Sequence, residues 1–179
     1  MEFTPGKIHS EVILISLEPR GDQRGSFTRT YCETEFREVG LPTRWVQCNH
    51  TITEKKGTIR GMHWQVAPKG EDKLIRCLSG KVFDVAVDIR PDSPNFGRWE
   101  AFELSEEKPT ELFIPKGFAH GFQCLTDHCH LFYQMTESYE AELARGVRWD
   151  DADVAVNWRF PAIGISQRDE TLPLLAEIN

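Results

Sequence analysis

Hydrophobic positions along this chain fall in short runs that alternate with polar ones and are divided by turn residues. The clearest run spans residues 81–89. Phe83, Val85, Val87 and Ile89 fall on one face and Val82, Asp84, Ala86 and Asp88 on the other, the period of two that marks a strand. Similar runs predict strands over 11–17, 44–52, 58–65, 73–78, 99–104, 111–114, 121–125 and 130–136. Ser79-Gly80 and the stretch from Pro91 to Gly97 supply turn material between them. Helix is expected in two places only. One is 34–39, closed by Gly40; the other begins near Ser166 and runs towards Leu175. Many short strands with helices at the margins predict an all-β sandwich or jelly roll.

Composition changes this picture little. A chain of 179 residues is the size of one domain and is long enough to bury a core. Hydrophobic residues at 40% and charged residues at 27% exclude a disordered chain. Lys plus Arg is 21 against 28 Asp plus Glu, a net charge of −7 with no basic block. That balance argues against nucleic acid and anionic membranes as partners, although a few local arginines can still hold a phosphate. No apolar run approaches the roughly 18 residues that span a bilayer. The first residues lack a basic segment followed by an apolar one, so no signal peptide is expected. Five cysteines, at 32, 48, 77, 124 and 129, form no Cys-x-x-Cys pair. Free thiols in a reducing cytoplasm are the expectation.

Candidate chemistry gathers around histidines. In the 58–65 strand, alternation puts Ile59, Gly61, His63 and Gln65 on one face. Gly61 marks a bulge or a close approach of backbone to ligand. Arg60 has the opposite parity, so it joins His63 at one ligand only if Gly61 bends the strand or the ligand spans an edge. The segment Pro115-Lys116-Gly117-Phe118-Ala119-His120 resembles the second motif of the cupin jelly rolls. Metal-binding cupins supply two further His and a Glu from an earlier strand. Here that strand reads His63-Trp64-Gln65, and Gln stands where the second His would be. His63, His120 and Glu71 do not complete a transition-metal set, so this resemblance implies a cupin without metal. Cys124, His128, Cys129 and His130 have no usual zinc spacing. Adjacent strand residues also point to opposite faces.

Taken in order, the motifs Gly21-Asp22-Gln23-Arg24-Gly25-Ser26-Phe27, Gln47-Cys48-Asn49-His50, Arg60-Gly61-Met62-His63-Trp64-Gln65 and Lys73-Leu74-Ile75-Arg76-Cys77 resemble one family closely. So do Phe83 to Arg90, Ile114 to Phe122, Leu131-Phe132-Tyr133-Gln134, Ser166-Gln167-Arg168-Asp169 and Pro173-Leu174-Leu175. The family is the nucleotide-sugar 3,5-epimerases that act on dTDP-4-dehydro-6-deoxyglucose. The resemblance implies a cupin-type jelly roll that works without metal or organic cofactor on a nucleotide-diphosphate 4-keto-6-deoxy sugar. It implies His63 as base, Asp169 as its orienting partner and Tyr133 as acid. It places Lys73 by the enolate with Asp84 as a partner, and His120 and Asn49 along the sugar pocket. Arg24, Phe27, Gln47 and Arg60 would contact the nucleotide diphosphate, with Tyr139 close by in the binding site. It also implies a homodimer in which the N-terminal strand and Arg24 region of one subunit reach the other's site.

Duller roles compete with these. Ser166 and Asp169 have helix-capping spacing, and Tyr133 shares a strand face with Leu131 and Met135 as a core tyrosine would. Three residues depart from the family pattern: Arg29 for Glu, Cys48 for Asp, and Trp64 for Phe or Tyr. On a strand, Arg29 would lie beside Phe27, so the nucleotide is the open question. Other readings are a single-centre 3- or 5-epimerase on a different (for example CDP-linked) sugar, a metal-dependent cupin, and a non-catalytic sugar-nucleotide binding module. Finding His63 and Tyr133 on the same pocket wall, or far apart, would favour the last.

Overall fold

A computed structural model describes residues 1–178. Its strands are β1 (Glu2–Pro5), β2 (Ile13–Ser16), β3 (Arg20–Asp22), β4 (Gly25–Phe27), β5 (Gln47–Thr53), β6 (Ile59–Gln65) and β7 (Lys73–Ser79). They continue through β8 (Lys81–Asp88), β9 (Trp99–Ser105), β10 (Thr110–Ile114), β11 (Phe118–Cys124), β12 (Cys129–Met135) and β13 (Ala144–Gly146). Two short α-helices, α1 (Glu33–Glu38) and α2 (Gln167–Glu170), and a 3-10 turn (Leu175–Glu177) complete the described residues. One sheet runs β1-β2-β10-β7-β12-β5 and the other β13-β6-β11-β8-β9. Pairing within both is antiparallel. The fold is the all-β, cupin-type jelly roll.

The two sheets pack face to face through alternate side chains. Ile75, Cys77, Leu112, Ile114 and Leu131 of one meet Val82, Ala86, Leu104, Phe118 and Phe122 of the other. Strand β8 is buried on both faces. Its Phe83, Val85 and Val87 form a second cluster with Met62, Trp64, Val147, Val154 and Leu175, the last three carried by the chain that follows β13. Asp84 and Asp88, on the face that alternation marks as the polar one, are also fully buried. On the outer side of the six-stranded sheet, Phe36 of α1 packs with Ile15, Leu17, Leu74 and Phe113.

Each strand that alternation predicts is present within a few residues. Four short ones, β1, β3, β4 and β13, carry too little periodicity to be seen in the sequence. The helix at Ser166 is shorter than its pattern suggests: α2 ends at Glu170. Pro173 disfavours helical backbone in the residue before it, and the Leu175–Glu177 turn is a separate element. The five cysteines are free, and no helix among the described residues is long and apolar enough to cross a membrane.

Candidate active site

A cavity of about 490 Å³ opens between the sheets, lined among others by Arg60, His63, Lys73, His120, Tyr133, Tyr139, Arg168 and Asp169. Its shape depends on an irregularity in β6. His120 pairs with His63 and Phe122 with Arg60, so two steps along β11 match three along β6. That extra residue is a β-bulge, and Gly61 there has φ +121°. A Cβ on Gly61 would sit 2.5 Å from Gly121 Cα and 2.7 Å from the His120 carbonyl oxygen, so the close approach needs glycine. The strict alternation expected over 58–65 therefore fails. Arg60 and His63 line one cavity, while Met62 enters the outer cluster.

The carboxylate of Asp169 lies 2.7 Å from His63 Nε2, and its second oxygen accepts from the Gly61 N–H at 3.3 Å. Ser166 Oγ caps α2 by accepting from the Asp169 N–H at 3.1 Å. Capping and pairing are thus not alternatives: Ser166 does the one and Asp169 the other. Burial favours the protonated acid, but the His63 contact and the hydrogen bonds from Gly61 and Ser166 hold Asp169 below its ordinary range. An imidazole whose Nε2–H is held by a carboxylate presents Nδ1 as its lone pair.

Tyr133 reaches the cavity from β12, on the opposite sheet, and its hydroxyl is hydrogen-bonded to Thr51 Oγ1. Lys73 donates to the His63 carbonyl oxygen at 3.0 Å and pairs with Glu71 at 3.2 Å. Burial lowers its pKa, opposed by the charges of Glu71 and Asp84. Asp84 itself is fully buried and bonds to His120 Nε2 at 2.9 Å. It has no ion pair with Lys73 and is not among the residues that line the cavity; it holds His120. Arg60 is tied back to β5 through Thr53 Oγ1 at 2.9 Å and the Ile52 carbonyl at 3.3 Å.

Four other expected site residues are not on the cavity lining. Gln47 and Asn49 stand on β5. Gln47 donates to Asn49 Oδ1 at 3.2 Å, accepts from the Tyr139 N–H at 3.0 Å, and Asn49 contacts Met135 Sδ. Arg24 and Phe27 belong to the separate β3–β4 hairpin, with the Phe27 residue 73% exposed. Arg29 lies beyond the end of β4, so no strand aligns it with Phe27. It pairs with Glu35 at 3.1 Å beside a shallow depression that Phe27 also lines. Residue patterns alone missed Arg168 and Thr51. Arg168 adjoins Asp169, and Thr51 alternates with Asn49, which are the signals that could have found them. Among the described residues, no three His, Cys, Asp or Glu side chains gather where they could hold a metal.

The sequence model of the dTDP-4-dehydrorhamnose 3,5-epimerases matches residues 7–177. The chain belongs to that family. A dTDP-4-dehydrorhamnose 3,5-epimerase of Escherichia coli is 42% identical over 172 residues, covering 94% of this chain and 92% of that protein. The crystal structure of the Bacillus anthracis epimerase with TDP and PPi bound superposes with a TM-score of 0.92 at 36% identity, covering 97% of this chain and 98% of that one. An epimerase of Legionella pneumophila, in complex with dTDP-4-keto-L-rhamnose, gives 0.93 at 34% identity, with 99% and 94% covered. This epimerase-family chain is thus an isomerase of nucleotide sugars.

Proposed function

We propose that the chain epimerises a dTDP-linked 4-keto-6-deoxyhexose at C3, C5 or both, with His63 as base and Tyr133 as acid. The observation that carries this is the placement of the two groups on facing sheets of one cavity. Epimerisation removes a proton from one face of the carbon and returns it to the other, and this arrangement supplies both faces. The C3 and C5 hydrogens are acidified by the C4 carbonyl, so the step asks for no metal or organic cofactor. His63 Nδ1 takes the proton, Asp169 fixes the ring, and the Lys73 ammonium faces the enolate oxygen. His120, held by Asp84, lines the sugar pocket. Arg60 and Tyr139 meet the nucleotide diphosphate at the mouth, with Gln47 and Asn49 behind them.

Arg24 and Phe27 act, in this reading, in the site of a second copy. Their hairpin pairs with neither main sheet, the Arg24 side chain is 89% exposed, and Phe27 shows its ring to solvent. The enzyme works as a homodimer in the cytoplasm, where its thiols stay reduced. The test is incubation with dTDP-4-dehydro-6-deoxyglucose in heavy water. Deuterium at C3, C5 or both, with change of configuration, is expected, and the labelled positions count the centres. Absence of exchange with this sugar overturns the reading, and exchange with its CDP-linked counterpart alone would favour the different-nucleotide alternative.

A further inference from the structure

Gln65, the last residue of β6, is buried at the cavity lining, and both ends of its amide are hydrogen-bonded. Nε2 donates to the Lys69 carbonyl at 3.0 Å and to the Ser138 carbonyl at 3.1 Å, and Oε1 accepts from the Glu140 N–H at 2.6 Å. The residue between, Tyr139, gives its own N–H to Gln47 Oε1 on β5. Two glutamines, one from each sheet, thus hold three consecutive residues of one loop. The ring they carry is half exposed at the cavity mouth.

We propose that Gln65 is a positioning residue that fixes Tyr139 over the mouth of the cavity, so that the loop is ordered before the nucleotide sugar arrives. Both hydrogens of the Gln65 amide are given to loop carbonyls, so it has no N–H left for a ligand or for the reacting carbon. An untethered loop would have to be ordered on binding, which weakens association and leaves the chemical step alone. This inference rests on the reading of the cavity as a nucleotide-sugar site.

The experiment is Gln65→Met, which fills similar space without polar atoms. KM for the dTDP-linked substrate should rise about tenfold while kcat stays within about threefold. In a Tyr139→Ala background the same change should add no further rise in KM, because Gln65 acts through that ring. A fall in kcat of the same size, or a full additional loss in the double variant, overturns the proposal. Amide hydrogen exchange of the free protein gives a readout that needs no substrate. Exchange at Tyr139 and Glu140 should quicken in Gln65→Met, and unchanged protection there also overturns it. Should Gln65→Met not fold, Gln65→Glu serves, since its carboxylate can accept from Glu140 but cannot donate to Lys69 or Ser138. Quickened exchange at Tyr139, whose N–H is held by Gln47 in the same loop, is then expected, and unchanged exchange there overturns the proposal. Wild-type protein inert towards every 4-keto sugar nucleotide would defeat the functional reading while leaving the exchange result to decide the clamp.

Discussion

One nitrogen of His63 is committed to Asp169, and this asymmetry separates the two proton-transfer roles experimentally. Without the base no enolate forms, so His63→Ala should abolish deuterium uptake from heavy water together with turnover. Tyr133→Phe removes only the donor on the facing sheet. Removal and return of a proton on the His63 side survive, so exchange should outlast epimer formation. General acid–base groups contribute about 10²–10⁴-fold, and a loss under about tenfold in either variant is too small for the assigned role. Proton NMR of the sugar during turnover measures both quantities at once. These two residues were legible in the sequence only as part of an ordered set of motifs. Taken singly, a histidine beside a glycine and a tyrosine between Leu131 and Met135 read equally well as packing. The side chains that hold them, Thr51 and the Ser166 cap, become visible only when strands and helix are placed in space.

Strands were easier to read than their distortions. Alternation located β8 because it keeps one register with both neighbours along its length, but the Gly61 bulge shifts β6 by one residue and reverses the parity of Arg60. A register change leaves no periodic signal, although glycine inside a strand hints at one. Burial on both faces is equally silent, since Asp84 and Glu111 look like solvent positions. Glu111 on β10 lies across the ladder from Arg76 on β7 and is 3% exposed, with Oε2 lacking a hydrogen-bond partner. Burial raises its pKa from 4.5 to about 7, and the Arg76 charge only partly offsets that. An acid whose folded pKa is raised binds its proton more tightly when folded. Its contribution is complete below the unfolded value of 4.5 and is lost as pH rises through about 7. The loss amounts to about 3 kcal/mol. Urea unfolding between pH 4.5 and 8 should show this decline in the wild type and a shallower one in Glu111→Gln. Parallel pH dependences in the two proteins would show that Glu111 is not the group responsible.

At the scale of the whole molecule, the cavity gathers His63, Lys73, Tyr133 and Asp169, the groups proposed for the chemistry, but not the hairpin that the family resemblance assigns to the nucleotide. Strands β3 and β4 bond only to each other. The Arg24 guanidinium reaches Asp22 in its own hairpin and no residue of the cavity. If the hairpin completes the site of a second copy, two different defects should complement one another. Arg24→Ala leaves the cavity intact but spoils the site of its partner, and His63→Ala spoils its own site while keeping a sound hairpin. Each homodimer should be weak or inactive. In an equal co-expressed mixture half of the dimers are mixed, and each of these holds one site with both His63 and a partner's Arg24. Activity should then return to about one quarter of the wild-type level, the share set by random pairing around a two-fold axis. Differently tagged subunits allow the mixed dimer to be isolated, where about half of wild-type activity is expected on the same reasoning. Should Arg24 serve its own chain, the mixed dimer would contain no intact site, and its activity would not exceed that of the two parents.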